Sequence, residues 1–320
     1  MTTPAHRILQ AGYVPPALAA QLPRICETHV LGNETDPAAF LAAHGGDFTV
    51  LVTNATAGAS AELMSRLPRL QAICSIGVGT EAIDLDAANA RGIVVSNTPD
   101  VLNDCVADLA IGLMIDVARG ISAADRHVRR GDWPVKGPIA PRTRVSGKRL
   151  GLLGMGKIAR VIARRATGFS MDIRYHSRTR KPDLSWPHEP SLAKLAQWAD
   201  FLVVACSGGP QTRHLVSAEV LRALGPEGFL VNVARGSVVD GTALVNALQA
   251  GELAGAALDV FENEPHVPAP LAAMENVVLA SHIGSATQET RRAMVELTLG
   301  NVRSFLDSGR LLTEVRAEAT

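Results

Sequence analysis

Short apolar runs alternate with helically periodic segments along almost the whole chain, and no other feature constrains its fold as much. A run of about 4–8 apolar residues suits a strand buried on both faces, and the periodic segment after it suits a crossover helix. The first set of expected strands is Arg7–Gln10, Thr49–Thr53, Gln71–Ile76 and Ile93–Ser96, with helices at Ala17–Leu22, Pro37–His44, Ala61–Leu67 and Leu85–Ala90. The second set is Arg149–Leu153, Asp172–Tyr175, Phe201–Ala205, Phe229–Val233, Ala256–Val260 and Val277–Ala280. Its helices include Lys157–Thr167, Leu192–Trp198, Ala218–Leu224 and Thr242–Ala250. This pattern predicts an α/β protein with two doubly wound parallel-sheet (Rossmann-like) domains and a ligand cleft between them. The 320 residues, 47% of them apolar, are enough to build two such cores.

The helix Leu102–Arg119 follows Asn97-Thr98-Pro99 and is too long and too apolar for a simple crossover, so it suits an inter-domain helix. Ala286–Leu306 is helical again and carries the chain back. The first domain is therefore expected to be discontinuous, residues 1–98 plus 287–320, and the second to span 99–286. From Arg119 to Val145 the chain is rich in Arg, Gly and Pro and lacks a clean period. Such a stretch is either disordered or held by a partner. Trp133 and the prolines argue for packing, so residues 119–148 are read as a dimerisation arm.

The second strand set opens on Gly154-Met155-Gly156-Lys157-Ile158-Ala159, which follows the buried run Arg149–Leu153 and leads into a helix. This fits G-x-G-x-x-G/A: a tight turn, a close backbone approach to a pyrophosphate, and a helix N-terminus aimed at the phosphates. The next strand ends in Ser177-Arg178-Thr179-Arg180-Lys181, where an NAD-specific site would place an Asp or Glu on the adenosine ribose. An acid would repel a 2′-phosphate; Ser177, Arg178 and Arg180 would bind one. The expected cofactor is NADPH, with NADH as a second one that Lys and Arg at this site often permit. A second glycine pair, Gly77-Val78-Gly79, precedes a strand that ends in Asn97-Thr98-Pro99 without either signal, and reads as a tight turn.

Lys+Arg and Asp+Glu both number 31, so no net field draws nucleic acid. Cys26, Cys74, Cys105 and Cys206 form no C-x-x-C and have no His at metal-ligand spacing, so buried free thiols in a reducing cytoplasm are expected, and no metal. Met1 to Arg7 lacks the pattern of a signal peptide, and no run is long enough to span a membrane.

Arg235, Glu264 and His282 sit at or just past three strand ends of the second set, where a doubly wound sheet gathers its ligands. Taken singly they read as a C-capping Arg, a surface-loop Glu and a satisfied buried His. Taken together they suit a 2-oxo acid. Arg235 can hold its carboxylate and polarise the carbonyl. His282 can protonate the oxygen as hydride reaches the carbon, and Glu264, if bonded to His282, fixes its tautomer and favours the protonated form.

Seven motifs then carry a resemblance: SIGVGTEAIDL at 75–85, SNTPDVLNDCVADLAIGL at 96–113, GLLGMGKIA at 151–159, YHSRTRKP at 175–182, FLVNVARGSVVD at 229–240, GAALDVFENEP at 255–265 and SHIGSAT at 281–287. In combination they resemble the D-2-hydroxyacid dehydrogenase family, and most of all its NADP-dependent hydroxypyruvate/glyoxylate and hydroxyphenylpyruvate reductase branch. The match is weakest over residues 1–45 and 131–148. The resemblance implies Arg235, Glu264 and His282 as the catalytic set. It implies the amides of Val78 and Gly79, with Arg235 and His282, as the substrate site. For the cofactor it implies Gly154, Met155, Gly156, Lys157, Ile158, Ser177, Arg178, Thr179, Arg180, Cys206, Ser207, Thr212, Val233, Ala234, Asp259, His282 and Gly284. Within that set Asp259 and the Val233 main chain hold the nicotinamide amide. Ala159 replaces a third glycine, and Ser207-Gly208-Gly209-Pro210 is more glycine-rich than the family's usual loop.

The expected function is NADPH-dependent reduction of small 2-oxo acids (hydroxypyruvate, glyoxylate, pyruvate or hydroxyphenylpyruvate) by a cytoplasmic homodimer, with neither nucleic acid nor membrane as partner. The alternatives are an NAD-linked dehydrogenase and a non-catalytic nucleotide sensor or corepressor-like scaffold of the same fold.

Overall fold

A computed structural model describes residues 6–315; the opening and closing five residues, among them most of the segment read above for a signal peptide, lie outside the described residues. The chain divides into two compact units, Met1–Val101 with Gln288–Thr320, and Leu102–Thr287.

The first unit holds β1 (Ile8–Gln10), β2 (Thr28–Val30), β3 (Val50–Asn54), β4 (Ala72–Ile76) and β5 (Val94–Ser96). They form one parallel sheet in the order β2-β1-β3-β4-β5. Leu9, Phe48, Leu51, Met64, Leu67 and Ile73 are among the side chains that fill its core. The sequence pattern does not announce β2. It is a three-residue edge strand, half-buried throughout, and lacks the apolar run that marks its neighbours. The helix Gln288–Ser308 belongs to this unit and packs on β4. Met294, Val295, Thr298, Leu299, Val302 and Phe305 make its buried stripe at helical spacing. Its Asn301 carboxamide accepts the amides of Leu312 and Thr313 at 2.9 and 3.0 Å, which turns the last described segment back toward the sheet.

The second unit holds β6 (Arg149–Leu153), β7 (Asp172–His176), β8 (Phe201–Val204), β9 (Phe229–Asn232), β10 (Gly255–Leu258) and β11 (Val277–Leu279). All six are parallel, in the order β11-β10-β9-β8-β6-β7. From β6 the chain passes outward to β7, then crosses back to β8 on the other side of β6. The reversal opens a crevice between the carboxyl ends of β6 and β8, the place where such sheets bind ligands. The helix Asn103–Arg119 packs on β9, β10, β11 and the Lys157–Thr167 helix of this unit, with eight buried residues.

Residues 119–148 differ from expectation. The structure contains a regular helix, Ile121–Arg129, and a short turn of helix at Trp133–Lys136. The longer of the two buries only Ala123, so no apolar stripe reveals it in the sequence. In the single chain Trp133 is 56% exposed, and Ile121, Val128 and Val135 are exposed as well.

Candidate active site

The turn after β6 is built for close approach. Gly154 has φ +96°, and a Cβ there would stand 2.7 Å from the amide nitrogen of Cys206 and 2.8 Å from its Cα. The turns after β6 and β8 therefore meet backbone against backbone, which only glycine permits. Gly156 caps the Lys157–Thr167 helix, and a Cβ added to it meets nothing within 4 Å. The space before the first helical amides is thus open, and the first turn carries no acidic residue. This arrangement fits a pyrophosphate, whose charge the helix N-terminus favours. Met155 and Ala159 are buried while Lys157 is exposed; the small Ala159 allows the helix to lie close to the sheet.

The basic cluster follows β7. The Ser177 hydroxyl donates to the Thr179 carbonyl at 2.8 Å, and the Lys181 amide donates to the Tyr175 hydroxyl at 2.8 Å, so the turn is internally tied. Arg178, Thr179 and Arg180 are exposed. The acid that follows, Asp183, pairs with Arg160, whose hydrogen bond holds its carboxyl below the ordinary aspartate range. Across from the cluster lies the loop after β8. The Thr212 hydroxyl bonds the carbonyls of Ser207 at 2.9 Å and Gly209 at 3.2 Å, closing the loop on itself. Burial pushes the Cys206 thiol up to about 11, so it stays a neutral thiol at physiological pH.

Arg235, Glu264 and His282 follow β9, β10 and β11, three adjacent strands. Asn232, 1% exposed at the end of β9, brackets the Arg235 turn. Its side-chain amide donates to the Arg235 carbonyl at 3.0 Å and its oxygen accepts the Ala234 amide at 3.0 Å. The Arg235 guanidinium donates to the Ala234 carbonyl at 2.8 Å. Gly236 comes next, and a Cβ there would fall 1.9 Å from the Phe261 carbonyl carbon and 2.3 Å from the Glu262 nitrogen. The Arg235 turn and the loop that carries Glu264 therefore touch through bare backbone.

His282 Nδ1 lies 2.7 Å from Glu264 Oε2, and the Phe261 amide donates to Glu264 Oε1 at 2.9 Å. An ionised carboxylate only accepts, so Nδ1 carries the proton of this bond and Nε2 is the outward nitrogen. Burial pushes the Glu264 carboxyl up, but the His282 bond, the Phe261 amide and the charges of His282 and Arg235 outweigh it and leave it below the ordinary glutamate range. A carboxyl lowered in this way stabilises the fold above its unfolded value, and that contribution is lost as pH falls through the lowered one.

His282 has φ +55°, in the left-handed region that few non-glycine residues adopt. Asp259, 2% exposed, holds it there. Its carbonyl accepts the His282 amide at 2.9 Å, and its carboxylate accepts the amides of Ile283 at 2.7 Å and Gly284 at 2.9 Å. Burial nevertheless raises the Asp259 carboxyl above the ordinary aspartate range, against those two amides. Val233 and Ala234 are buried, and the Val233 amide is bonded to the Val204 carbonyl at 3.3 Å.

In the first unit, Val78 and Gly79 lie just past the carboxyl end of β4. The Asn97 side chain donates to the Val78 carbonyl at 2.8 Å, and Gly77 and Thr98 exchange two bonds at 2.8 and 3.0 Å. The turn is pinned to the residues after β5.

Residues 111–284 match the family model described as D-isomer specific 2-hydroxyacid dehydrogenase, NAD binding domain. The chain is also 48% identical over 275 residues to glyoxylate/hydroxypyruvate reductase A of Arabidopsis thaliana, covering 86% of this chain and 88% of that protein. It belongs to the D-isomer specific 2-hydroxyacid dehydrogenase family.

Other members of the family extend the likeness. A hydroxyphenylpyruvate reductase of Plectranthus scutellarioides is 46% identical over 276 residues, covering 86% of this chain and 88% of that one. The crystal structure of an NADPH-dependent glyoxylate/hydroxypyruvate reductase from Sinorhizobium meliloti, in complex with NADP and malonate, superposes with a TM-score of 0.90 at 39% identity, covering 99% of this chain and 100% of that chain. Two residues of this 2-hydroxyacid dehydrogenase family member escaped the sequence reading. Asn232 ends an apolar run and looks like a strand terminus; Gly236 looks like a turn glycine. Their value lies in contacts with residues far along the chain, which no local pattern displays. Among the described residues no group of His, Cys, Asp and Glu is placed to hold a metal, and no helix is long and apolar enough to cross a membrane.

Proposed function

We propose that this chain reduces small 2-oxo acids, with glyoxylate and hydroxypyruvate first among them, to D-2-hydroxy acids using NADPH. The observation that carries the reading is the 2.7 Å His282–Glu264 bond, made by residues at the ends of β10 and β11 beside the strand that delivers Arg235. Bound NADPH supplies the hydride. The Arg235 fork binds the substrate carboxylate and draws electron density from the adjacent carbonyl. His282 Nε2 gives its proton to the carbonyl oxygen as the new C–H bond forms, and Glu264 balances the imidazolium before that transfer. In the first unit, the amides of Val78 and Gly79 are donors that suit a substrate carboxylate. Gly154 to Ile158 hold the pyrophosphate, and Ser207, Thr212, Val233, Ala234 and Gly284 line the remainder of the cofactor. Exposed Ile121, Val128, Trp133 and Val135 are the face on which two copies pair. The free cysteines suit a cytoplasmic protein.

The direct test is nicotinamide absorbance with a panel from glyoxylate to hydroxyphenylpyruvate, using NADPH and NADH in turn. kcat/KM should be higher with NADPH, because Arg178 and Arg180 pair with a phosphate that NADH lacks. Replacing both by Ala should raise KM for NADPH on the order of tenfold per lost contact and leave NADH nearly unaffected. Equal efficiency of the two cofactors in the unaltered protein would sink the NADPH assignment. No turnover with any 2-oxo acid would favour the non-catalytic scaffold.

Glu264→Gln keeps the size of the side chain and removes its charge. The imidazolium then loses its counter-charge, so kcat for reduction should fall on the order of tenfold or more while NADPH affinity stays unchanged. A variant with near-normal kcat would leave Glu264 with a packing role only.

A further inference from the structure

β7 is an edge strand of the second sheet, and residues 187–189 run beside its outer edge, with His188 bridged in parallel to Tyr175. The Tyr175 amide donates to the Pro187 carbonyl at 3.1 Å, and the Glu189 amide donates to the Tyr175 carbonyl at 2.8 Å. His176 Nδ1 donates to the Glu189 carbonyl at 2.9 Å. The segment is therefore fastened to the end of β7 on both sides of His188.

From these fixed positions two side chains reach the turn 177–181, which carries Ser177, Arg178 and Arg180. His188 Nε2 donates to the Ser177 carbonyl at 3.0 Å, and the Tyr175 hydroxyl accepts the Lys181 amide at 2.8 Å. One holds the start of the turn and the other its end. The two rings also touch each other, with centroids 5.1 Å apart.

The choice of tyrosine is informative. Tyr175 is 0% exposed. Phenylalanine would fill the same space without taking a hydroxyl out of water. A buried tyrosine O–H needs a polar partner, and here the partner is the residue that closes the turn. The hydroxyl thus serves the turn and not the core around it.

We propose that Tyr175 and His188 are specificity-determining positioning residues: they hold the two ends of the 177–181 turn in the shape that receives the 2′-phosphate of the dinucleotide. The inference rests on the NADPH reading above. Side chains on an exposed turn lose freedom when they close on an anion, and a turn already fixed at both ends loses less. The frame acts only on the part of the dinucleotide that NADH lacks, so its effect is selective between the two cofactors.

The test is isothermal titration of the full chain with NADPH and, separately, NADH, which differ only in the 2′-phosphate. Tyr175→Phe keeps the ring and removes the hydroxyl. It should weaken NADPH about three- to tenfold and leave NADH within about twofold. His188→Leu should act in the same direction, and His188→Gln, which keeps a side-chain N–H, should recover part of the loss. In a background with Arg178→Ala and Arg180→Ala, Tyr175→Phe should lose most of its effect, because it acts through the turn those residues stand on. The proposal is overturned if Tyr175→Phe or His188→Leu binds NADPH like the unaltered protein. It is also overturned if either weakens both cofactors alike, which marks a general defect, or if the full effect of Tyr175→Phe persists without the two arginines. Where the unaltered protein prefers NADPH and the double arginine variant loses that preference, any such result rejects the frame alone. Where the unaltered protein shows no preference, the NADPH reading fails and takes this inference with it.

Discussion

His282→Ala is expected to lower kcat for 2-oxo acid reduction by roughly 10²–10⁴-fold, the usual worth of general acid catalysis. Cofactor affinity should change little, because the proton on Nε2 matters only as charge develops on the carbonyl oxygen. The geometry sets this split. Nδ1 is engaged by Glu264 at 2.7 Å, so the outward Nε2 is the nitrogen offered to a substrate. The backbone at residue 282 is fixed by Asp259 through its carbonyl, and the two amides that follow are fixed by its carboxylate. Deleting the imidazole leaves that frame intact, so the folded protein and its nucleotide site should survive. Single-turnover rates, together with NADPH titration by fluorescence, check both halves of the expectation. A variant with near-normal kcat would remove His282 as the proton donor. A variant that lost NADPH binding in proportion to its rate would make His282 a cofactor contact first.

Arg235→Ala should lower kcat/KM by roughly 10²–10³-fold, as expected when a paired charge in a shielded site loses its partner. Arg235→Lys is the informative companion. It keeps the positive charge but gives up the planar fork, so it should recover only part of the loss. The comparison decides what the residue does. Full recovery with Lys would show that charge alone is needed, and no recovery would show that the bidentate geometry carries the effect. Asn232 offers a control, since it holds the Arg235 turn without a charge of its own: Asn232→Ala should raise KM for the 2-oxo acid more than it lowers kcat.

The fold was legible where burial on both faces writes itself into the sequence. Most strands of the second sheet are almost uninterrupted apolar runs, β7 alternating instead, and each expected span lies within two residues of the observed one. β2 was not legible, because Thr28-His29-Val30 is half-buried at an edge and carries no run. The helix Ile121–Arg129 was not legible either: with only Ala123 buried, its pattern is that of a surface segment. The site divides along a similar line. Residues that end strands announce themselves by position, and the structure brings Glu264 and His282 into contact across 18 residues of chain. What remained hidden is the set that acts through long-range backbone contacts. Beside the nicotinamide contact expected of Asp259, its carboxylate accepts the amides of Ile283 and Gly284 and so shapes the loop after β11. A bond from a side chain to the main chain of a distant loop leaves no spacing signal, whereas a strand end does.

The contact between Gly236 and Phe261 bears on how such an enzyme can be altered. Loops are usually the freely exchangeable part of an α/β enzyme, tolerant of insertion, deletion and transplantation. Here two of them share a backbone surface with no side chain between them, so neither can change length or path alone. An engineer who wishes to widen the pocket by grafting a relative's 261–266 segment has to graft its 234–238 segment as well, or the arginine and the glutamate will arrive out of step. The same restriction applies to natural drift: viable variants at one segment should be those accompanied by a compensating change in the other, and the pair should be inherited as one block.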